Sequence, residues 1–241
     1  DGRTQLSSGT VDFAGSDSLP KDGETFPSTV LFFPTVAAPI TVSYNLDGVD
    51  ELQLSPDVIA GIFQAQITTW DDAKIAADNP DATLPSTPIT VVHRSDGSGT
   101  TNNFTKYLAA AAPDTWTLGS GDEVNWPATT QGAEKNSGVA EVIKQTSGAI
   151  GYVDLADAGK AGLSLAKIQN SSGDFIAPGV EGVQAALEDA TIEPNLTYNP
   201  LNGSGPKDYP ITAPTFLLVL DTQADAATAD SLKTYLRYVL T

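Results

Sequence analysis

Apolar residues recur along the chain in two patterns, which together predict a regular alternation of strands and helices. Short runs rich in β-branched and aromatic residues predict buried strands at 11–16, 29–46, 88–95, 149–155 and 215–220. Longer stretches with one apolar face predict helices at 55–66, 68–80, 138–148, around 104–108 and around 232–239. This alternation favours an α/β fold with a mostly parallel sheet, whose ligand sites lie at the carboxyl ends of its strands.

Residues at the ends of the predicted helices carry the signals that start and stop helices. Ser55 precedes Pro56, which predicts an N-cap followed by a proline in the first turn. Thr69 and Asp72 are three positions apart and predict a capping box for the next helix. Gly9 follows a short helical segment at the start of the chain and predicts a left-handed C-cap.

Proline and glycine interrupt the pattern in two places. Pro34 and Pro39 fall inside the 29–46 run, which predicts one or two strands with a bend. Residues 199–210, NPLNGSGPKDYP, are rich in turn formers and predict a loop.

The composition narrows the classes of function. The 241 residues, 40% of them hydrophobic, suffice for one large or two small domains. Only 12 Lys and Arg oppose 30 Asp and Glu, and the net charge of −18 argues against nucleic acid or an anionic membrane surface as a partner. The sequence contains no Cys and a single histidine, His93, which excludes thiol catalysis and zinc sites built on cysteine or on several histidines. We predict no cofactor and no metal, and we interpret His93 as a strand residue rather than a catalytic base.

Residues 93–104, HRSDGSGTTNNF, join a predicted buried strand to a predicted helix and concentrate groups that bind anions. Backbone N–H groups at a helix N-terminus attract negative charge, and the two glycines of the run let a ligand approach them. Ser98 and Thr100 add hydroxyl donors, and Arg94 adds a planar fork that matches two oxygens of an oxyanion. Asp96 cannot donate when ionised, and we expect it to pair with Arg94 and hold the guanidinium in place.

The residues of this run leave two other interpretations open. One is a polar helix-cap loop whose side chains are solvated. The other is a nucleophile turn at Ser98, but DGSGT does not match the G-x-S-x-G elbow and no free histidine is available near this serine. A Walker phosphate loop does not fit either, because the lysine that should follow the last glycine is missing.

Six motifs, in order along nearly the whole chain, resemble those of the phosphate-binding proteins of bacterial phosphate ABC transporters. They are VDFAGSDSLP (11–20), FPTV (33–36), ITTWDD (67–72), VVHRSDGSGTTNNFTKYL (91–108), SGAIGYVDL (147–155) and YPITAPTFLLV (209–219). RSDGSGT and VDFAGSD are the most specific, because their order and spacing tell more than either motif alone. The resemblance implies a two-domain periplasmic-binding-protein fold (type II-like), with mixed sheets flanked by helices and a hinged cleft that closes over one phosphate.

The resemblance also implies positions for the ligands. It assigns phosphate contacts to Asp17, Arg94, Ser98, Gly99 and Thr100, and supporting roles to Ser16 and Asp96. A carboxylate at Asp17 would accept a hydrogen bond from a protonated phosphate but repel sulfate, which has no proton at neutral pH. The other interpretation of Asp17 is a helix N-cap before Ser18.

The same resemblance implies how the chain divides. Domain one is expected at 1–45 plus 213–241 and domain two at 46–212. Members of the family begin with a strand and a loop that supply further phosphate contacts, and they continue beyond the position of Thr241. Domain one is therefore expected to be incomplete in this sequence, through proteolysis, a partial record of the chain or a shortened relative with another role.

The expected function is that of an extracellular or periplasmic solute-binding protein, monomeric and without enzymatic activity. It would bind inorganic phosphate between its domains and deliver it to the membrane permease of an ABC transporter. It would be either free or tethered by a lipid on an N-terminus that precedes this sequence. Two alternatives stay open, namely a surface or scaffold protein that keeps the fold without a role in phosphate transport, and an enzyme acting on phosphate esters with Ser98 or Asp17 as nucleophile.

Overall fold

The computed structural model of the protein describes residues 2–21 and 23–240. Helices in this part of the chain are α1 (Gly2–Ser7), α2 (Pro56–Phe63), α3 (Ala73–Asp78), α4 (Gly99–Ala111), α5 (Lys135–Gln145), α6 (Leu155–Ala161), α7 (Val180–Asp189) and α8 (Ala226–Leu240). Strands are β1 (Phe13–Ser16), β2 (Val30–Asn45), β3 (Gln53–Leu54), β4 (Thr90–Arg94), β5 (Gln131–Ala133), β6 (Ala149–Asp154), β7 (Ser164–Leu165), β8 (Lys167–Gln169), β9 (Phe175–Ile176) and β10 (Thr212–Leu220). None of these helices is long and apolar enough to cross a lipid bilayer.

The described residues divide into two compact units. Unit one comprises those of 1–37, 191–199 and 214–241, and unit two comprises 38–190 and 200–213. The chain passes between the units within β2, on either side of 191–199, and within β10. That these units are the two expected domains, 1–45 plus 213–241 and 46–212, stays a prediction.

The main sheet of unit two is mixed. β4 pairs in parallel with β6 on one side and with β5 on the other. β2 pairs antiparallel with β6, from Ile40 opposite Asp154 to Asn45 opposite Ala149. The expectation of a mostly parallel sheet was wrong, because β2 and β6 are neighbours although four helices separate them along the chain. An alternation of strands and helices sets the direction only of strands that a single crossover connects.

An aromatic cluster joins α2, α4 and β6 in the core of unit two. Phe63 of α2 contacts Phe104 of α4 with ring centroids 4.7 Å apart, and Phe104 stacks on Tyr152 of β6 at 4.4 Å. All three side chains are fully buried, and burial of such a side chain contributes about 1.5–3 kcal/mol. The cluster fixes α4 against the sheet just after the loop that leaves β4.

The structure corrects one local prediction from the sequence, the capping box, and settles another, the number of strands in 29–46. The predicted capping box was wrong, because Thr69 is extended in a β-bridge with Pro88 and the N-cap of α3 is Asp72, whose Oδ1 accepts the Lys74 N–H at 2.8 Å. The 29–46 run is one continuous strand, β2, despite its two prolines. The fixed φ of proline is compatible with an extended chain, so it removes a donor without ending the strand.

Unit one is built around β1 and β10, which pair antiparallel. Side chains along β10 alternate between two apolar clusters, as the period of a strand requires. Phe216 and Leu218 pack with Leu6 of α1 in one cluster, and Leu217 and Val219 pack with α8 in the other. The end of β1, which precedes Asp17, is thus held by β10, a strand from the far end of the chain.

Candidate functional site

Arg94, the last residue of β4, is held in place by two other side chains. Its Nε and Nη2 donate to the two carboxylate oxygens of Asp96, each at 2.7 Å, and its Nη1 donates to the Oδ1 of Asn136 at 2.6 Å. A guanidinium carries five N–H groups, so two of them have no acceptor among the described residues. The side chain is only 10% exposed, and these two donors are therefore pre-positioned for a ligand.

Asp96 balances the charge of Arg94. Its Oδ1 also accepts the backbone N–H of Lys135 at 3.1 Å. The hydrogen bond from Arg94 lowers the pKa of the Asp96 carboxyl to about 2. Asp96 is therefore ionised at neutral pH and acts as an acceptor that orients the guanidinium, as its spacing in the sequence predicts.

The start of α4 offers backbone donors. Ser98 is the N-cap of α4, with an extended backbone (φ −144°, ψ 128°), and its Oγ accepts the Thr101 N–H at 3.3 Å. The N–H groups of Gly99 and Thr100 are left without an acceptor among the described residues, as is usual in the first turn of a helix. With the guanidinium of Arg94 they form what we call the donor loop, residues 94–100.

Buried hydroxyls tie the donor loop to β6 and α5. The hydroxyls of Thr101 and Tyr152 lie 2.7 Å apart, and the Tyr152 oxygen accepts the backbone N–H of Arg94 at 3.2 Å. Burial raises the pKa of the Tyr152 phenol to about 12, so it remains protonated. The Oγ1 of Thr100 accepts an amide N–H from Asn136 at 3.3 Å. The loop and the first turn of α4 are therefore anchored to two neighbouring elements, β6 and α5.

Ser16, the last residue of β1, and Asp17, which follows it, lie in unit one. The Oγ1 of Thr215, on β10, donates to the Oδ1 of Asp17 at 2.5 Å. Ser16 donates through its Oγ to the Ser18 carbonyl at 2.6 Å. The element that follows Asp17 in the described chain is the strand β2 and not a helix, so the helix N-cap interpretation of Asp17 was wrong.

Sequence reasoning missed several of the polar partners. Asn136 lies 42 positions after Arg94, and Thr215 lies 198 positions after Asp17. Arg3, also overlooked, donates through Nη1 to the Oγ of Ser18 at 2.9 Å. No local spacing connects such pairs. A prediction that β5 pairs with β4 would have placed Asn136 near Arg94.

His93 is a strand residue of β4, as predicted. Its Nδ1 lies 3.0 Å from the Arg94 carbonyl, and its ring stacks on Trp126 with centroids 5.0 Å apart. Burial lowers the pKa of the imidazole, so it is neutral at pH 7. Across the described ranges, no group of three or more histidine, cysteine or acidic side chains is arranged to hold a metal ion.

A cleft with a volume of about 730 Å³ opens beside the carboxyl end of β4. Arg94 and Asp96 line it together with the Trp126 ring and residues of the 123–130 segment. The carboxyl end of the strand is thus accessible in unit two, where an α/β sheet usually binds its ligand.

Comparison with known proteins assigns the family. The family model of a PBP superfamily domain matches residues 1–241. The chain is 36% identical over 232 residues to the phosphate-binding protein PstS of Xylella fastidiosa, covering 94% of this chain and 63% of that protein. It is 34% identical over 267 residues to the phosphate-binding protein PstS of Methanocaldococcus jannaschii, covering 100% of this chain and 68% of that protein. The chain belongs to the PstS family of the PBP superfamily. The resemblance given by the sequence motifs is confirmed.

Solved structures confirm the fold of this superfamily. A high-affinity periplasmic phosphate-binding protein, PfluDING, aligns with a TM-score of 0.75 at 24% identity, covering 93% of this chain and 69% of that one. The phosphate-binding protein of Stenotrophomonas maltophilia aligns with a TM-score of 0.73 at 21% identity, covering 97% and 73%. The predicted periplasmic-binding-protein fold with mixed sheets is thus confirmed. The chain spans 63% of the length of its Xylella relative in the PstS family.

Proposed function

We propose that the protein is a solute-binding protein for inorganic phosphate, with the donor loop as one half of its site. The observation that carries the proposal is the set of donors without acceptors within the donor loop. Two guanidinium N–H groups of Arg94 and the N–H groups of Gly99 and Thr100 have no acceptor within residues 2–21 and 23–240. The relatives named as phosphate-binding proteins support the choice of phosphate among oxyanions.

The strength of these donors is of the same order as the free energy that a micromolar site requires. A hydrogen bond to a charged group is worth about 1.5–3 kcal/mol net. Four such bonds supply about 6–12 kcal/mol, and a micromolar dissociation constant requires about 8 kcal/mol. Ser98, Gly99 and Thr100 are proposed as ligands together with Arg94, and Asp96 as the residue that steadies the guanidinium.

We propose Asp17, supported by Ser16, as the residue that selects phosphate over sulfate. The Thr215 hydroxyl donates to one of the Asp17 oxygens and thereby orients the carboxylate. An ionised carboxylate accepts the proton that HPO₄²⁻ or H₂PO₄⁻ carries, whereas sulfate would place two negative oxygens face to face.

The net charge of −18 does not oppose anion binding. Charges further than about 8 Å from a site are largely screened at physiological ionic strength. The local donors of Arg94 and α4 therefore decide the affinity.

We further propose that the protein acts outside the cell membrane, as a monomer that hands phosphate to the permease of an ABC transporter. The named relatives are phosphate-binding proteins, and the aligned PfluDING protein is described as periplasmic, which supports a role in phosphate capture outside the cell membrane. Catalysis is not part of the proposal. Release of nitrophenol from a nitrophenyl phosphate at a rate above the buffer blank would instead favour the phosphate-ester hydrolase alternative.

The deciding experiment is a calorimetric titration of phosphate-stripped protein, first with phosphate and then with sulfate. We expect saturable binding of phosphate with a micromolar or lower dissociation constant, and sulfate binding weaker by at least about 100-fold, since an unmatched charged pair costs several kcal/mol. A folded sample of confirmed mass that shows no heat with phosphate would contradict the proposal and favour the scaffold alternative.

A further inference from the structure

The side chain of Asn136 contacts three of the elements around the donor loop. It is the second residue of α5 and is 9% exposed. Its Oδ1 accepts from the Nη1 of Arg94 at 2.6 Å, and its Nδ2 donates to the Oγ1 of Thr100 at 3.3 Å and to the Oδ2 of Asp154. One buried amide thus connects the ends of β4 and β6 with the first turn of α4.

The carboxylate of Asp154 determines which way this amide faces. Its Oδ2 accepts from the Nδ2 of Asn136, so the amide nitrogen is turned towards β6. The Oδ1 is then turned towards Arg94, whose N–H groups only donate. The reverse orientation would oppose two donors at Arg94 and two acceptors at Asp154, which is unfavourable for buried groups.

The fixed amide in turn determines what Arg94 and Thr100 can do. Arg94 is held by Asp96 through Nε and Nη2 and by Asn136 through Nη1, so its guanidinium cannot rotate without breaking contacts on two sides. The Oγ1 of Thr100 already accepts from Asn136, which leaves its own proton to be donated elsewhere. Both residues are thereby prepared as donors before a ligand arrives, which reduces the entropy lost on binding.

We propose that Asn136, locked by Asp154, is a positioning residue that sets Arg94 and Thr100 as donors for the anion. The inference rests on the proposed function, because its readout is the affinity for inorganic phosphate. Asn136 itself need not touch the ligand.

The first test measures the phosphate dissociation constant of Asn136→Ala by calorimetry. We expect a weakening of about 10- to 100-fold, as for loss of a bond to a charged donor. The matched control is Asn79→Ala, which removes another buried amide of unit two whose partners are backbone groups of Gln53 and Ile75. The control is expected to bind phosphate as the unmodified chain does. Equal dissociation constants for Asn136→Ala and the unmodified chain would overturn the inference.

A double-mutant cycle separates positioning from a general loss of stability. Arg94→Lys removes the Nη1 contact, so adding Asn136→Ala to it should weaken binding several-fold less than Asn136→Ala does alone. If Asn136→Ala weakened phosphate binding by the same factor with Arg94 and with Lys at position 94, Asn136 would not act through Arg94. That result would overturn the inference.

An exchange of partners tests the role of Asp154. Asn136→Asp alone places two carboxylates against each other, and we expect it to weaken binding or to fold poorly. Adding Asp154→Asn restores a donor and acceptor pair of nearly the same size and should recover part of the affinity. A double variant that folds but binds no better than the single one would contradict the locking role.

If the unmodified chain binds no phosphate, the proposed function and this inference fail together, whereas binding that is insensitive to Asn136 defeats the inference alone.

Discussion

The donor loop and the segment around Asp17 are built in different ways, although both follow the carboxyl end of a strand. The donor loop presents cationic and backbone donors, and its main brace, between Arg94 and Asp96, spans two positions. Asp17 presents an acceptor, and its brace comes from Thr215, 198 positions away. The main brace of the first region is local, whereas the brace of the second exists only when β1 and β10 are paired.

The packing also differs, and the donor loop rests on the more completely buried core. The aromatic cluster of Phe63, Phe104 and Tyr152 is fully buried under the donor loop. Unit one has smaller clusters, and some of its large apolar side chains are exposed, among them Tyr238 at 84% and Val36 at 60%. We therefore expect the donor loop to govern affinity through rigid donors, and Asp17 to govern selectivity.

The largest effect is expected from Arg94→Ala. This substitution removes the guanidinium donors and leaves Asp96 without its counter-charge, so phosphate binding should weaken by more than about 100-fold, since each charged hydrogen bond is worth about 1.5–3 kcal/mol. Calorimetry measures the change, and Lys106→Ala, which removes an exposed positive charge from α4, is the control. A loss of the same size in the control would mean that net charge, not the donor loop, governs affinity.

Asp17→Asn should change selectivity more than affinity. An amide can donate to sulfate, so the preference for phosphate over sulfate is expected to fall by about 10- to 100-fold, the range for removal of a charged mismatch. Competition titrations with both anions measure the ratio, with the exposed Asp12→Asn as the control in the same unit. An unchanged ratio would remove the proposed division of roles between the two regions.

Gly151→Ala tests how tightly β6 packs against β4 and α5, the strand and helix that hold the donor loop. A methyl group on this β6 residue would lie 2.7 Å from the Val92 carbonyl oxygen and 2.8 Å from Ile143 Cδ1. Overpacking of this kind costs about 1–3 kcal/mol, which a denaturant titration measures. A methyl group on Gly159 of α6 would meet no described atom within 4 Å outside its chain neighbours and its own helix backbone, so Gly159→Ala should be neutral or stabilising by up to about 1 kcal/mol. Equal stability of both variants would contradict the close approach of β4 and α5 to Gly151.

The smallest effect is a dependence on pH. The Asp96 carboxyl has a pKa of about 2 in the folded chain, below its ordinary value of 3.8. Its stabilising contribution is therefore complete above the ordinary value and is lost as the pH falls towards 2. Thermal melts of the unmodified chain and of Asp96→Asn should differ by a few degrees at neutral pH and converge on acidification. Because the Asp96 side chain is 36% exposed, solvent screens the ion pair and the difference in melting temperature is small. A difference that persisted to pH 2 would contradict the ion pair as its cause. The exposed Asp81→Asn is the control.

Sequence reasoning succeeded where the interacting groups are neighbours along the chain. Gly9 has a left-handed backbone with a φ of 69°, and Asp96 pairs with Arg94 two positions away. The fold was recognisable as well, because its motifs occur in order along the chain. β5 and the role of Asn136 were missed, because a three-residue strand has no apolar period of its own and its neighbour β4 is distant in sequence.

The amino-acid order was enough to locate the donor loop, since a strand end, two glycines, two hydroxyls and an arginine within a few positions are local properties. Tertiary structure alone decided that β2 runs antiparallel to β6, that Thr215 reaches Asp17, and that Asn136 holds Arg94. The physical reason is the range of the interactions. Caps and turns depend on residues within about one helical turn, whereas side chains far apart along the chain meet only after the sheets have formed and the apolar clusters have packed.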